Sequence, residues 1–335
     1  MLRLKNACLK LGVIGVGVFG EVHLRSLLNL EDISVEAICD IDKKRLAEVA
    51  KRYSIARSYS NLDSMLNDQD LDGVVIATPD HLHLQPVKKV AAKKIPILLE
   101  KPLATTLEDA KSIVNIVEET GAKVLMGFIM RWVPEINHLR QAIQDGRLGK
   151  ITNIYTRRIT RLASANRFKG RCTINEYLAV HDLDLMLWLL GSDLETIYTI
   201  KGDFVVAEKY GTPDFYWNIL RWSNGAVGVI HVAWDEQETH LNSHKYVGEN
   251  EFVIKGTKGS ARLSRPSENL RYYLSDKYET VDLTSYHLYE LKFFIDCIRG
   301  DEEFSPDVYD GLAVVKIIHA AENSVREGKP VEVCL

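Results

Sequence analysis

Residues 9–20 read Leu-Lys-Leu-Gly-Val-Ile-Gly-Val-Gly-Val-Phe-Gly. A short apolar run, Leu9–Ile14, passes directly into Gly15-Val16-Gly17-Val18-Phe19-Gly20, a GxGxxG match. Alone such a match is weak; its flanks make it specific. It follows a strand pattern and opens a helical pattern over Glu21–Leu30, with Val22, Leu24, Leu27 and Leu28 at helical spacing. The next strand, Ile33–Cys39, is closed by Asp40, where a dinucleotide fingerprint places its acid. Gly15 permits the tight turn, Gly17 admits a pyrophosphate to the backbone, and Gly20 lets helix lie on strand. The helix start, with Val18 and Phe19 in its first turn, offers N–H groups and partial positive charge to phosphate. Asp40 can accept hydrogen bonds from ribose hydroxyls and repels a 2′-phosphate, which favours NAD over NADP. Lys43, Lys44 and Arg45 follow directly, so NADP stays open, although a solvated first helical turn accounts for them better.

The strand–helix rhythm continues outward from this turn. Asp42 can cap a helix over Lys43–Arg52, a short segment lies near Ala56–Tyr59, and a helix starts near Asn61. Gly73–Ala77 reads as a buried strand, and a helix spans about His83 to Lys93. Thr105-x-x-Glu108 is a capping box for a helix reaching about Thr120, and Lys123–Phe128 is a further strand. Alternation of this kind means a parallel, doubly wound sheet. After residue 131 the rhythm changes. A helix over Pro134–Asp145 precedes long strands at Ile151–Arg161, Ile197–Val206, Tyr216–Trp222 and Ala226–Trp234, the last two joined by the hairpin signal Asn224-Gly225. Shorter strands follow at 251–255, 260–264, 270–274 and 278–283, then helices at about 286–299 and 307–327. The expected architecture is α/β: an N-terminal doubly wound parallel sheet over 1–131, and a C-terminal α+β domain over 132–335 with a large, mostly antiparallel open sheet.

Within the first half, residues 95–102 read Ile-Pro-Ile-Leu-Leu-Glu-Lys-Pro. An apolar strand stops at an acid, a base and a proline. Ligands of parallel sheets bind outside the strand carboxyl ends, so Lys101 stands where a reacting group is placed. Pro102 fixes its own φ and ends the ladder, holding the lysine at a defined bend. Thr78-Pro79-Asp80-His81-Leu82-His83 follows another strand and reads as a loop bordering the dinucleotide. His81 and His83 lack a third ligand at any recognisable spacing, so no metal is expected.

Bulk properties narrow the function. The net charge of −4 and pI near 6.2 leave no electrostatic footprint for nucleic acid. No apolar run approaches the roughly 20 residues that span a bilayer, so no membrane partner is expected. Five scattered cysteines without a Cys-x-x-Cys fit reduced thiols. The basic start runs into a glycine-punctuated strand, not a signal-peptide core, and a cytoplasmic enzyme of small molecules is expected.

The glycine turn, Thr78-Pro79 with His83, and Glu100-Lys101-Pro102, in this order, resemble the glucose–fructose oxidoreductase / inositol dehydrogenase / rhizopine-catabolism family, Gfo/Idh/MocA. The likeness continues through Gly127–Pro134, His181-Asp182-Leu183-Asp184 and the terminal Glu327–Val331. It implies a Rossmann domain, a C-terminal open sheet that pairs in dimers or tetramers, a nicotinamide cofactor, and oxidation of a sugar, cyclic polyol or nucleotide sugar. By the same resemblance Gly15, Gly17, Val18, Phe19, Gly20, Asp40, Thr78, Pro79, His83, Glu100 and Lys101 line the cofactor. His181 is the base, Lys101 stabilises the substrate oxygen, and Asp184, Tyr177, Arg131 and Arg158 meet substrate.

His181 and Asp184 sit at i and i+3 of an apolar helix pattern, hence on one face, where such groups need partners or a task. Many members of the family carry Asp-x-Gly-x-His at this point; here Tyr177 and Ala179 replace the acid and the glycine. Arg157, Arg158, Arg161, Arg167, Lys169 and Arg171 form a basic run that suits an anionic substrate, although a solvated strand face with ion pairs explains it better. Two other functions stay open: an NADPH-dependent carbonyl reductase, and a dinucleotide-binding regulator without catalysis.

Overall fold

The computed structural model describes residues 8–191, 193–235, 249–265, 269–274, 278–281 and 286–335. In chain order the first elements are β1 (Leu9–Ile14), α1 (Val18–Leu27), β2 (Ile33–Cys39), α2 (Lys43–Tyr53), β3 (Ser58–Tyr59), α3 (Leu62–Asp68), β4 (Gly73–Ile76), α4 (Leu84–Ala92), β5 (Ile97–Glu100), α5 (Leu107–Thr120) and β6 (Val124–Gly127). There follow α6 (Pro134–Gln144), β7 (Ile151–Arg161), α7 (Leu162–Phe168), α8 (Val180–Leu190), β8 (Leu194–Gly202), α9 (Val205–Tyr210), β9 (Phe215–Trp222) and β10 (Val227–Asp235). The chain ends with β11 (Glu249–Gly256), β12 (Gly259–Arg265), β13 (Asn269–Leu274), β14 (Tyr278–Val281), α10 (Tyr286–Arg299), α11 (Val308–Glu327) and β15 (Val331–Glu332). Two compact units result, Met1–Trp132 with Ser285–Val315, and Val133–Thr284 with Lys316–Leu335. The first thus takes in α10, which the sequence pattern assigns to the C-terminal half.

The first unit is a six-stranded sheet in the order β3-β2-β1-β4-β5-β6, every pair parallel. The order reverses between β1 and β4, the crevice where doubly wound sheets bind ligands. Ile38, Val13, Val75 and Leu98, one from each of the four inner strands, are fully buried, as a sheet covered on both faces requires. Gly73 makes room for α10: a Cβ there would lie 2.6 Å from Ile298 and 3.3 Å from Phe294.

The second unit is a nine-stranded sheet in the order β14-β13-β12-β11-β7-β10-β9-β8-β15, antiparallel except where β10 runs parallel to β7. β9 alternates cleanly: Tyr216, Asn218, Leu220 and Trp222 are buried, while Trp217 and Ile219 face outward. The Asn224-Gly225 hairpin forms as its dipeptide predicts, with Gly225 at φ 86° and the Asn224 side chain accepting the Ala226 N–H at 2.9 Å.

Three local expectations shift. The strand expected over Ile197–Val206 ends at Gly202, and Val205 opens α9. The carboxylate of Asp214 accepts the N–H groups of Phe204, Val206 and Ala207 at 2.7–3.1 Å, and this distant cap overrides the strand preference of two valines. The cap of α5 is Thr106, which accepts from Asp109, not Thr105 with Glu108. α7 was not legible in the sequence pattern. The tail of the strand expected at 278–283 lies outside the described residues beyond 281.

Candidate active site

In the first unit the glycine turn leaves β1 at the point of strand-order reversal. Gly15 stands at φ 85°, and a Cβ on it would lie 2.7 Å from the carbonyl oxygen of Ala77. A Cβ on Gly20 would lie 1.8 Å from the Gly15 carbonyl oxygen, whereas one on Gly17 would meet nothing within 4 Å. Gly17 is the N-cap of α1 and offers no side-chain cap, so no side chain covers the first N–H groups of the helix. Val18 is exposed and Phe19 half-buried at that start. Asp40 closes β2 and braces the turn: Oδ2 accepts the Val16 N–H at 2.8 Å and Oδ1 the Asp42 N–H at 2.9 Å. Each oxygen keeps further lone-pair capacity for a hydroxyl. Arg45, from the basic cluster behind Asp40, is committed to the Val16 carbonyl at 2.6 Å and to Glu21 at 2.8 Å. The cradle therefore fits a dinucleotide: an uncapped helix start, a glycine with room above it, and an acid at the tip of the next strand.

β5 lies one strand away from β4 and ends at Glu100. Lys101 follows, half-buried. Glu100 turns back: its Oε2 accepts the Lys101 backbone N–H at 3.1 Å, and its Oε1 accepts from Nε2–H of His23 at 2.7 Å. Burial pushes the Glu100 carboxyl upward, but His23 and then Lys101 outweigh it and hold it below its ordinary value. Thr78 is half-buried and Pro79 exposed on the loop after β4. His83 departs from the expected cofactor contact. It is buried, with Nε2 3.1 Å from the Thr78 carbonyl and Nδ1 2.9 Å from that of Pro102. Burial pushes its pKa down, against the pull of these carbonyls; the neutral ring has one N–H and donates to one of the two, lying between the loop after β4 and the bend after Lys101. Arg131, expected at the substrate, is 4% exposed and pairs with Asp310 at 2.8 Å.

In the second unit a π-helical turn, Asn175–Ala179, leads straight into α8. Such turns recur at functional sites. Asn175 and Asn218 exchange amide hydrogen bonds of 2.8 and 3.3 Å, and Thr199 adds one of 2.9 Å, which pins the turn to the buried face of β9. His181 is the second residue of α8 and half-exposed; Asp184, one turn on, is buried. Tyr177 lies on Phe168 (ring centroids 4.6 Å apart) and parallel to Trp234 (5.8 Å, 14°), and its hydroxyl accepts from Arg167 at 3.2 Å. Arg158, the other arginine expected at substrate, is buried and bonds Asp182 at 2.7 Å. Burial raises Asp182 above the usual carboxylate range despite that arginine. Of the basic run, Arg158 thus goes to Asp182 and Arg167 to Tyr177. Asp182 stands inside the His181–Asp184 stretch without an expected role, and His23 and Glu290 belong to no motif; only their polar character in apolar helix patterns marks them.

Among the described residues no cluster of three His, Cys, Asp or Glu side chains could hold a metal ion, and no helix is long and apolar enough to cross a membrane. Residues 9–128 match the model of an oxidoreductase family with an NAD-binding Rossmann fold, and residues 136–262 match the GFO/IDH/MocA C-terminal domain. The rhizopine catabolism protein MocA of Rhizobium meliloti is 30% identical over 330 residues, 93% of each chain. The myo-inositol 2-dehydrogenase of Thermotoga maritima is 25% identical over 97% of this chain and 98% of its own. A levoglucosan dehydrogenase solved with NADH shares the fold, with a TM-score of 0.86 at 22% identity, covering 97% of this chain and 99% of that one.

Proposed function

We propose, because the chain belongs to the GFO/IDH/MocA family of NAD-binding oxidoreductases, that it oxidises a secondary alcohol of a sugar or cyclic polyol. It is an NAD(P)-dependent sugar or polyol oxidoreductase, and NAD is its cofactor. The observation that carries the reading is the uncapped glycine turn at the sheet's reversal point, braced by Asp40, with Lys101 held by Glu100 at the end of the nearby β5.

A nicotinamide dinucleotide held by the glycine turn and Asp40 would supply the hydride acceptor, so that alcohol and NAD⁺ would give carbonyl, NADH and a proton. The chain's own groups manage oxygen and proton. His181 takes the hydroxyl proton; an imidazole with a reference pKa near ~6.5 suits that task around neutrality. The Lys101 ammonium donates to an alcohol oxygen and offsets the negative charge that develops there. Asp184 holds a neighbouring substrate hydroxyl, and Tyr177 takes the place of the carboxylate common in relatives. Arg131 and Arg158, already committed to Asp310 and Asp182, serve as scaffold for these groups.

Incubation with NAD and a panel of inositols, aldoses, sugar acids and nucleotide sugars, followed by NADH absorbance, tests the reading. At least one compound yields NADH. A panel without turnover, from a protein that binds NADH and retains a protein partner, would establish the regulatory alternative. Fluorescence titration decides the cofactor: NADH binds more tightly than NADPH, and the reverse order refutes the role of Asp40.

The outward face of the second unit's sheet suggests a homo-oligomer. Ile200, Trp217 and His231 form one row across β8, β9 and β10, and Tyr198, Ile219 and Val229 form the next. Ile200, Trp217 and Ile219 are 48%, 36% and 42% exposed, an apolar patch suited to a second copy. Cys8, Cys39, Cys172, Cys297 and Cys334 are free thiols, which supports a reducing, cytoplasmic setting.

A further inference from the structure

Two arginines of α2 are drawn toward the glycine turn behind Asp40, and the proposed reaction gives neither a task. Asp42 covers the start of α2 by accepting the N–H groups of Lys44 and Arg45 at 3.0 and 3.1 Å. The Arg45 side chain reaches back to Val16, which is held at both ends. The Val16 N–H donates to Asp40 at 2.8 Å, and the Val16 carbonyl accepts from Arg45 Nε at 2.6 Å. The Asp40 carboxylate and the Arg45 guanidinium therefore flank a single residue. An arginine near that acid is how a Rossmann site accommodates a 2′-phosphate. Here its Nη2 donates instead to Glu21 Oε2, on α1, at 2.8 Å. Glu21 Oε1 accepts from Arg52 and, at 2.9 Å, from the Tyr53 hydroxyl. Arg45 and Arg52 lie about two turns apart on one face of α2, so a single carboxylate serves both. Burial pushes the Glu21 carboxyl upward, but Tyr53, Arg52 and Arg45 outweigh it and hold it below its ordinary value.

We propose that Glu21 is a specificity-determining residue for NAD over NADP: it ties Arg45 against the glycine turn and neutralises the cation that a 2′-phosphate would meet beside Asp40. The proposal rests on the reading of Asp40 given above. The two acids act differently. Asp40 repels the phosphate directly, whereas Glu21 withholds its counter-ion. Without the Glu21 charge, Arg45 keeps only the Val16 carbonyl and becomes an unbalanced cation next to the ribose position. At a separation of several ångströms in partly solvated protein, one such charge strengthens phosphate binding about fivefold or more. The basic cluster after β2 is thus compatible with NAD because its arginine is already paired across the α1–α2 contact.

NADH and NADPH differ by the 2′-phosphate alone. The ratio of their dissociation constants, read by fluorescence titration, therefore isolates that group and cancels any loss common to both. Glu21→Gln keeps the side-chain shape and shifts the ratio toward NADPH by about fivefold or more. Arg45→Met removes that gain in the Glu21→Gln background, and moves the ratio less in the parent, where the guanidinium is already paired. Should Glu21→Gln not fold, Glu21→Asp, too short to hold both arginines, shifts the ratio the same way by less. The proposal is overturned if the ratio in the folded Glu21 variant stays within about twofold of the parent. It is overturned equally if Arg45→Met acts alike in both backgrounds, or if Arg52→Met removes the gain in place of Arg45→Met. A parent that prefers NADPH refutes the reading of Asp40 instead, since the Glu21 effect is read as a change between variants. Titration needs no substrate, so failure of the dehydrogenase reading shows separately as absent turnover.

Discussion

His23 Nε2 and Glu100 Oε1, 2.7 Å apart and 77 residues distant in sequence, join the helix of the glycine turn to the strand that delivers Lys101. The helix of the glycine turn and the bend that carries Lys101 are thereby joined through one carboxylate, which also accepts the Lys101 backbone N–H. A charge-assisted bond of this kind contributes about 1.5–3 kcal/mol, and leaving the carboxylate without its donor costs more.

Lys101→Ala should lower turnover by about a hundredfold or more, the usual cost of removing a donor to a developing oxyanion. NADH affinity, set by the glycine turn and Asp40, should stay within about twofold of the parent. Steady-state kinetics and fluorescence titration check this together; parent-like turnover removes Lys101 from the mechanism.

The glycines separate binding from folding. A Cβ at Gly17 meets no protein atom within 4 Å, so Gly17→Ala should keep its thermal midpoint and lose NADH affinity. A Cβ at Gly20 would lie 1.8 Å from a backbone oxygen, so Gly20→Ala should lose stability as well. Equal thermal midpoints for the two variants would contradict the geometry.

Glu290 sets a pH dependence of known sign. Its folded pKa is raised, so its contribution to stability is full below the unfolded value and declines as pH rises toward the folded one. Glu290→Gln abolishes that decline, and its advantage over the parent in urea denaturation should grow from about pH 4.5 upward. His287 and His231, both lowered to about 4, act in the other direction: their contribution is lost as pH falls from the ordinary histidine range to about 4. An advantage that is flat with pH would show that Glu290 is ionised in the folded protein.

Arg158→Met removes one partner of a buried ion pair and strands Asp182, which is 0% exposed. The cost should be about 3–5 kcal/mol near neutral pH. It should shrink in acid, because a protonated Asp182 needs no counter-charge. Denaturation at two pH values measures both; a cost under about 1 kcal/mol would place the pair in solvent-like surroundings.

What the sequence by itself determined is local. The glycine turn, Asp40 at the tip of β2, the Asp42 cap of α2, the Asn224-Gly225 hairpin and the abrupt strand end before Lys101 each follow from backbone sterics, capping or periodicity within a few residues. The doubly wound sheet follows from their order. The tertiary structure alone decided where charges found partners. Asp214 turned Val205 and Val206 from strand to the start of a helix, α10 joined the first unit, Arg158 went to Asp182 and His23 to Glu100. The physical reason is reach: a burial cost or a hydrogen bond between residues as far apart as 8 positions (Asp214 and Val206) or 77 (His23 and Glu100) depends on which surfaces the fold brings together, and periodicity within a turn or two does not encode that.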